Sequence, residues 1–298
     1  MAAAGQSPVK VQPPSPAPTT QPAVVPATSA ARSLAHFSRL RDPPSSLQKA
    51  LLAGAFLVLL GTVWTAVTWN APEERIVSPT VLGSPREIFS SFHSLWFDRA
   101  LLRNLLASLW RVAQGFGLAA AVGVPLGVLA GTWPRLDAFL APLSVFGRNV
   151  PVSALVPLTL IWFGIGQGQK VMFIFVATVM FVFYDSARAI ASVHERYVET
   201  ALTLGAKSRQ VVLKVLVPLA LPEIFGSLRL LFGVAFGYII LAEMVNMENG
   251  VGALILVSQR RGPMEHVYLA LAAITVVAFG LDRSLTALGR ILFPWREQ

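Results

Sequence analysis

The sequence predicts an all-α, polytopic membrane protein with about six transmembrane helices, and two observations carry this prediction. Of the 298 residues, 54% are hydrophobic and only 13% are charged, whereas an average soluble domain is roughly 25% charged. In addition, uncharged runs long enough to cross a bilayer, which takes roughly 20 apolar residues, recur along the chain. So few charges cannot cover the surface of an ordinary soluble enzyme.

The uncharged runs give the order of the crossings. We expect them near residues 48–69, 107–131, 143–165, 169–189, 223–243 and 266–289. Small residues four positions apart let helices approach closely. Such spacing occurs at Gly123, Gly127 and Gly131, and again at Gly233 and Gly237, so we predict tight helix packing at both places.

The beginning of the chain differs from the rest in composition. Residues 1–49 contain 9 of the 21 prolines, mixed with Ala, Ser, Thr and Gln. Such a segment buries too little apolar surface to offset the entropy lost on ordering. We therefore predict a disordered, Pro-rich cytoplasmic tail over residues 1–46 and a transmembrane domain over 47–298.

The distribution of basic residues predicts the orientation. Segments that six crossings place on the side of the N-terminus hold 14 Lys and Arg, and those on the opposite side hold 7. Because Lys and Arg are retained on cytoplasmic loops, both termini are predicted to be cytoplasmic. The net charge of +9 is explained by this bias, so we expect membrane lipid and no nucleic acid as a partner.

The cytoplasmic connection 186–222 is much longer than a simple turn requires. Its pattern predicts two short helices that turn at Gly205, with an apolar face that nothing obvious in the chain covers. Pro218 and Pro222 are expected to end the second helix before the chain returns to the membrane. The segment is therefore interpreted as a docking element for a cytoplasmic partner.

The spacing within this connection carries a family resemblance. Glu199-Thr200-Ala201, three residues, Gly205, nine residues, then Val215 and Val217-Pro218 resemble the Glu-Ala-Ala loop of binding-protein-dependent ABC importers. Thr200 departs from the second alanine of that pattern, and Val215 and Val217 are aliphatic exchanges. Stretches at 84–87, 107–112, 161–166 and 242–252 are similar to the nitrate/sulfonate/taurine-type permease branch of the family.

The resemblance implies a type I ABC importer (MetI-like) permease fold and a homodimer in the bacterial inner membrane. It also implies ATP-binding subunits in the cytoplasm and an extracytoplasmic solute-binding protein, with a nitrate-, sulfonate- or taurine-like solute, or a related organic anion, as substrate. The chain itself would be a transport subunit and no enzyme, because the partner hydrolyses ATP. The residues implied to couple it to that ATPase are Glu199, Thr200, Ala201, Gly205, Val215 and Pro218.

Four residues are candidates for a translocation path. Arg148, Asn149 and Pro151 lie in the third crossing, where Arg148 reaching the inner surface is an equal alternative. Glu243 is an intramembrane acid, and such residues are functional by default, although a position at the membrane interface would also explain it. If Glu243 coupled transport to an ion gradient, the protein would be a secondary transporter with inverted repeats or broken helices, and the sequence indicates neither.

No pattern in the chain indicates catalysis, a cofactor or a metal. The four histidines lack the spacing of metal ligands, and no nucleophile, base and acid stand together. Residues 164–170 superficially resemble a phosphate-binding loop. However, Gln169 replaces the glycine that must precede the lysine, and Val171 replaces the Ser or Thr that must follow it.

Overall fold

The computed structural model of the protein describes residues 45–70, 74–75, 77–79, 81–245, 248–261 and 264–295. The tail predicted for residues 1–46 lies outside these ranges except for its last two residues. Contacts divide the chain into two units after Val58. The described part of the first unit is residues 45–58, and the remaining described residues form the second unit.

The described residues form helices and no strands, which confirms the all-α class. The helices are α1 (Ser46–Val67), α2 (Pro85–Ser90), α3 (Leu101–Thr132), α4 (Pro134–Asn149), α5 (Val152–Phe163), α6 (Gln167–Ala191), α7 (Glu195–Thr203), α8 (Ser208–Val211), α9 (Val217–Val245), α10 (Val251–Arg261) and α11 (Met264–Leu292). Two π-helical turns, Ser94–Asp98 and Val212–Leu216, complete them. Within the described ranges, five helices are long and apolar enough to cross a membrane, or six if α4 and α5 count as one crossing.

The third crossing is broken. Where one span was predicted over 143–165, α4 and α5 meet at an angle of 101°. Val150 adopts an extended conformation, since a residue before proline is disfavoured in a helix and Pro151 has no N–H to donate. The 12 residues of α5 extend only about 18 Å. The expectations of a continuous third span and of no broken helices are therefore both wrong.

Helices α3 and α6 run parallel in close contact. A Cβ on Gly115 would lie 2.5 Å from the carbonyl oxygen of Val171, and one on Gly127 would lie 2.5 Å from that of Phe183. Gly123 and Gly131 meet α6 in the same way, which confirms the packing predicted for the first glycine group. The second group differs, because a Cβ on Gly233 or Gly237 would meet nothing within 4 Å in this chain.

Helix α9 begins further back in the chain than predicted. From Ser208 to Val245 the chain is one long helix, so the expectation that Pro218 and Pro222 end the preceding helix is wrong. Pro218 lies in the first turn of α9, directly after the π-helical turn Val212–Leu216. A π-helical turn has wider hydrogen-bond spacing, which accommodates a proline that cannot donate an N–H.

An ion pair fixes the segment that precedes α3. Ser84 caps α2: its hydroxyl accepts from the N–H of Glu87 at 3.3 Å, and the carboxylate of Glu87 accepts from the N–H of Ser84 at 2.8 Å. Arg75 donates two hydrogen bonds to the same carboxylate at 2.8 and 3.0 Å. The Arg75 guanidinium, followed by the Ser84 N–H, lowers the pKa of Glu87 from 4.5 to about 2.

This lowered pKa predicts a pH dependence of stability. Because the folded protein binds the Glu87 proton more weakly than the unfolded chain, the stabilisation is complete above pH 4.5 and disappears as the pH falls towards about 2. We expect Glu87→Gln to lower the melting temperature by a constant amount at neutral pH and by a shrinking amount below about pH 4.5. Thermal unfolding of both proteins in detergent across this range measures the difference. A gap that stays constant down to about pH 3 would contradict the assignment.

Candidate functional site

The connection between α6 and α9 forms a compact turn at one end of the helix bundle, here called the loop end (residues 192–216). Helix α7 ends at Thr203, and Gly205 two residues later has a φ of +82°, a left-handed conformation that favours glycine. The N–H of Gly205 bonds the carbonyl of Leu202 at 2.9 Å, and the N–H of Ala206 bonds that of Ala201 at 3.0 Å. The two predicted helices and their turn at Gly205 are thus present, and the second helix continues into α9.

The apolar face of this loop is covered within the chain, contrary to the sequence-based expectation. Val198 and Ala201 pack against a buried cluster that includes Ile190, Val212 and Leu216. This packing fixes α7 against the ends of α6 and α9. The buried cluster thus joins α7 to both helices.

The opposite face of the loop is exposed. Glu199, Thr200 and Gly205 are exposed, and so is Pro218, whereas Ala201 and Val215 are half-buried. The apolar side chain of Leu204 is 83% exposed at the tip of the turn. Sequence reasoning missed Leu204, although a leucine directly before a turn glycine, off the apolar face of α7, was a signal for it.

The three path candidates of the third crossing lie together at its break. Arg148 stacks on the ring of Tyr184 in α6, with 3.4 Å between the guanidinium carbon and the ring centroid. The side chain of Asn149 donates to the carbonyl of Val145 at 2.7 Å, and Pro151 is exposed. Arg148 is thus in direct contact with a side chain of α6.

Glu243 lies in the interior at the opposite end of the bundle. Its side chain has no exposed surface, so it is enclosed by the protein. The Arg111 guanidinium pairs with its carboxylate at 2.5 Å, and the Ser108 hydroxyl donates to both oxygens at 2.7 and 2.8 Å. The N–H of Gly252 donates to it at 3.0 Å. Glu243 therefore joins α3, α9 and the start of α10.

The turn that follows α9 is shaped around this carboxylate. Gly250 has a φ of +117°, and a Cβ there would overlap the Glu243 side chain. The N–H of Gly250 donates to the side-chain oxygen of Asn104 at 2.8 Å, and that of Val251 to the Ser108 hydroxyl at 3.0 Å. Polar groups at the start of α3 thus hold the turn, and glycine is required where it passes Glu243.

A cavity of about 430 Å³ with several polar lining residues lies beside this network. We call it the Arg103–Arg111 cavity, and it is lined by Arg103, Asn104, Ala107, Trp110, Arg111, Gln114, Gln167 and Asn249. Sequence reasoning missed it, although Arg103, Trp110 and Gln114 fall on one helical face. A second cavity of about 680 Å³ shares Gln114 and Gln167 with the first and continues along α3 and α6.

Three comparisons with known proteins agree with this architecture. The chain is 32% identical to the taurine transport system permease protein TauC of Escherichia coli (strain K12), over 86% of this chain and 93% of TauC. It is also 32% identical to the putative aliphatic sulfonates transport permease protein SsuC of Bacillus subtilis (strain 168), over 74% of this chain and 80% of SsuC.

Among solved structures, the inward-facing MetNI methionine ABC transporter contains a chain of the same fold. The TM-score is 0.59 at 20% identity, over 64% of this chain and 95% of that one. The type I importer fold predicted from the resemblance is thereby confirmed.

The family profile called "Binding-protein-dependent transport system inner membrane component" matches residues 123–297, which include the loop end, the broken crossing and Glu243. Members of this family are permeases and not enzymes. They are powered by ATP-binding subunits and supplied by a binding protein, so the ion-gradient alternative is not supported. The chain belongs to the binding-protein-dependent transport system inner membrane component family and is the transmembrane permease subunit of an ABC importer.

Proposed function

We propose that this permease imports a small organic anion of the sulfonate or taurine type, and that its loop end docks on a cytoplasmic ATPase. The observation that carries the docking proposal is the exposed tip of α7, where Leu204 and Glu199 stand free while the other face of the helix is packed on α6 and α9. In this proposal residues 47–298 are the permease domain, residues 1–46 are a cytoplasmic tail, and both termini are cytoplasmic.

The coupling residues have distinct roles in this proposal. Glu199 accepts hydrogen bonds from the partner, and Leu204 fills an apolar pocket on it. Gly205 provides the turn that projects both side chains. Ala201, which packs on the cluster beneath α7, passes the displacement of the docked loop to α9, and the half-buried Val215 lies in the π-helical turn that leads into α9. Thr200 is the least specific member, because its hydroxyl already bonds the carbonyl of Arg196 at 2.7 Å.

The substrate class is supported by the relatives and by charge. TauC and SsuC are named for taurine and aliphatic sulfonates, which share a sulfonate group. Two arginines line the Arg103–Arg111 cavity, and guanidinium groups recognise oxyanions well. The break beside Arg148, Asn149 and Pro151 supports a path there, because transport proteins use interrupted helices where the backbone lines a cavity. Glu243 serves that path indirectly, by holding the outer turn.

A homodimer is supported by surface left open in the single chain. A Cβ on Gly233 or Gly237 of α9 would meet nothing within 4 Å among the described residues, and Leu230, Val234 and Leu241 beside them are exposed. Small residues among apolar ones let a second helix approach closely in a membrane. We therefore propose that α9 faces α9 of a second copy, with the transport path between the two chains.

Co-purification with the cognate ATPase tests the docking proposal. We expect Glu199→Ala to weaken the complex on order of tenfold or more, since a hydrogen bond to a charged group contributes about 1.5–3 kcal/mol. Leu204→Ala should weaken it as well, through the lost apolar contact. Both side chains are exposed, so neither change should lower the melting temperature of the permease alone.

Glu74→Ala is the matched control, because Glu74 is an exposed glutamate that the proposal places on the opposite side of the membrane. It should leave the complex and its solute-stimulated ATPase activity unchanged. Complexes of Glu199→Ala and Leu204→Ala as stable as the wild type would refute docking through this tip. A purified chain that moved solute without any ATPase would refute the proposal as a whole.

A further inference from the structure

The Arg103–Arg111 cavity contains hydrogen-bond donors and no carboxylate among its described lining residues. Two guanidinium groups, side-chain amides and the indole of Trp110 line it. Such a set matches an oxyanion, which only accepts hydrogen bonds. The cavity lies beside the starts of α3 and α6, at the end of the bundle that the proposed topology places on the outer face.

Arg111 is oriented as a binding group rather than as a free surface charge. It is 4% exposed. Its Nε donates to the side-chain oxygen of Gln167 at 2.5 Å, and its Nη1 donates to Glu243 and to the carbonyl of Asn249 at 2.9 Å. Its Nη2 has no partner among the described residues. Three fixed contacts thus hold the guanidinium in place and leave one nitrogen for a ligand.

The charged side chains that line the cavity are both positive. They are Arg103 and Arg111, and no carboxylate is among the described lining residues. The Arg111 guanidinium is paired with Glu243 behind the cavity, so the unpaired positive charge of the lining comes from Arg103. This charge favours an anion over a neutral or cationic ligand.

The second cavity defines the rest of the ligand. It continues from Gln114 and Gln167 along Gly117, Leu118, Val171 and Met172, and these four residues are apolar or small. The cavity lined by the two arginines thus lies next to an open, mostly apolar groove, with Gln114 and Gln167 on the lining of both. A small organic anion with a compact oxyanion head and a short aliphatic tail matches this arrangement, because its head is charged and its tail is apolar.

We propose that the Arg103–Arg111 cavity is a substrate site of the permease that receives the oxyanion head of the solute, with its aliphatic part directed along α3 and α6. This inference rests on the proposed function. The inference goes beyond the proposed function because it assigns solute recognition to residues of this chain, in addition to the selection made by the binding protein. Arg103 at the exposed rim supplies the charge that attracts the head, and Arg111 fixes it.

Calorimetric titration of the permease–ATPase complex with ethanesulfonate tests this site without requiring transport. In phosphatidylcholine nanodiscs, the wild type should bind ethanesulfonate saturably and should not bind the neutral probe diethyl sulfone. Arg103→Gln should weaken binding about tenfold or more, because it removes a charge-assisted hydrogen bond. Arg86→Gln is the matched control, since Arg86 is exposed and does not line the cavity. It should bind as the wild type does.

Three outcomes would overturn the site. The first is that the wild type shows no saturable binding of ethanesulfonate. The second is that Arg103→Gln binds ethanesulfonate as tightly as the wild type does. The third is that Arg86→Gln loses as much affinity as Arg103→Gln.

A lipid headgroup offers the same chemistry as the solute. If the wild type instead retains phosphatidylglycerol through purification and Arg103→Gln does not, while neither binds ethanesulfonate, the cavity holds lipid and the solute assignment fails. The docking result for Glu199→Ala is independent of all these outcomes, so failure here is distinguishable from failure of the proposed function.

Discussion

Replacing Gly127 with leucine should destabilise the permease by about 3 kcal/mol or more, the upper part of the range for overpacking a close contact. A Cβ at this position would lie 2.5 Å from both the carbonyl oxygen of Phe183 and the Cβ of Ser186. The carbonyl belongs to the helix backbone and cannot rotate away, so α3 and α6 must separate. Because Gly115, Gly123 and Gly131 share this contact, separation at one point disturbs the whole interface. The melting temperature in detergent, followed by size-exclusion chromatography, measures the effect.

Gly117→Leu is the matched control on the same helix. A Cβ on Gly117 would meet nothing within 4 Å among the described residues. Leucine also lowers the free energy of a helix relative to glycine, by less than about 1 kcal/mol. The control should therefore melt at or above the wild-type temperature. Gly127→Ala should fall between the wild type and Gly127→Leu. Equal melting temperatures for Gly117→Leu and Gly127→Leu would show that α3 and α6 do not pack through these glycines.

Features that depend on nearby residues could be predicted from the sequence. Uncharged runs located the crossings to within a few residues at most ends, because bilayer thickness sets helix length. The close packing at the glycines of α3 and the turn at Gly205 could also be predicted, because each depends on residues less than a dozen positions apart. The capping pair Ser84 and Glu87 is local in the same sense, because its two residues are three positions apart.

Features that depend on tertiary contact could not be predicted in this way. Arg111 and Glu243 are 132 positions apart, and nothing local shows that each is the other's counterion. Glu243 alone looked like an interfacial or a path residue. Two proline effects were also assigned wrongly, because Pro151 breaks its helix while Pro218 follows a π-helical turn that keeps its helix intact. The sequence did not separate these cases, because it gave no sign of the π-helical turn that precedes Pro218.

The buried ion pair leads to the second large effect. Glu243→Ala should destabilise the permease by about 3–5 kcal/mol, the usual result of removing one partner of a buried pair, because the Arg111 guanidinium then stays buried without a counterion. The N–H of Gly252 and the hydroxyl of Ser108 lose their acceptor as well. The turn beside Gly250 should loosen first, and hydrogen exchange at residues 250–252 should rise before that of the α3–α6 interface.

A double-mutant cycle separates the ion pair from these other contacts. Glu243→Gln keeps an acceptor oxygen but removes the negative charge. Arg111→Gln removes the positive charge of its partner. If the pair acts as a unit, the double variant should be more stable than the sum of the two losses predicts, with a coupling energy of about 1–3 kcal/mol. Asp282→Asn is the control, because Asp282 pairs with Arg229 at 3.4 Å with half of its side chain exposed. It should cost less than about 1 kcal/mol. Additive losses in the cycle, or an Asp282→Asn loss as large as that of Glu243→Gln, would mean that burial and not charge pairing holds the turn beside Gly250.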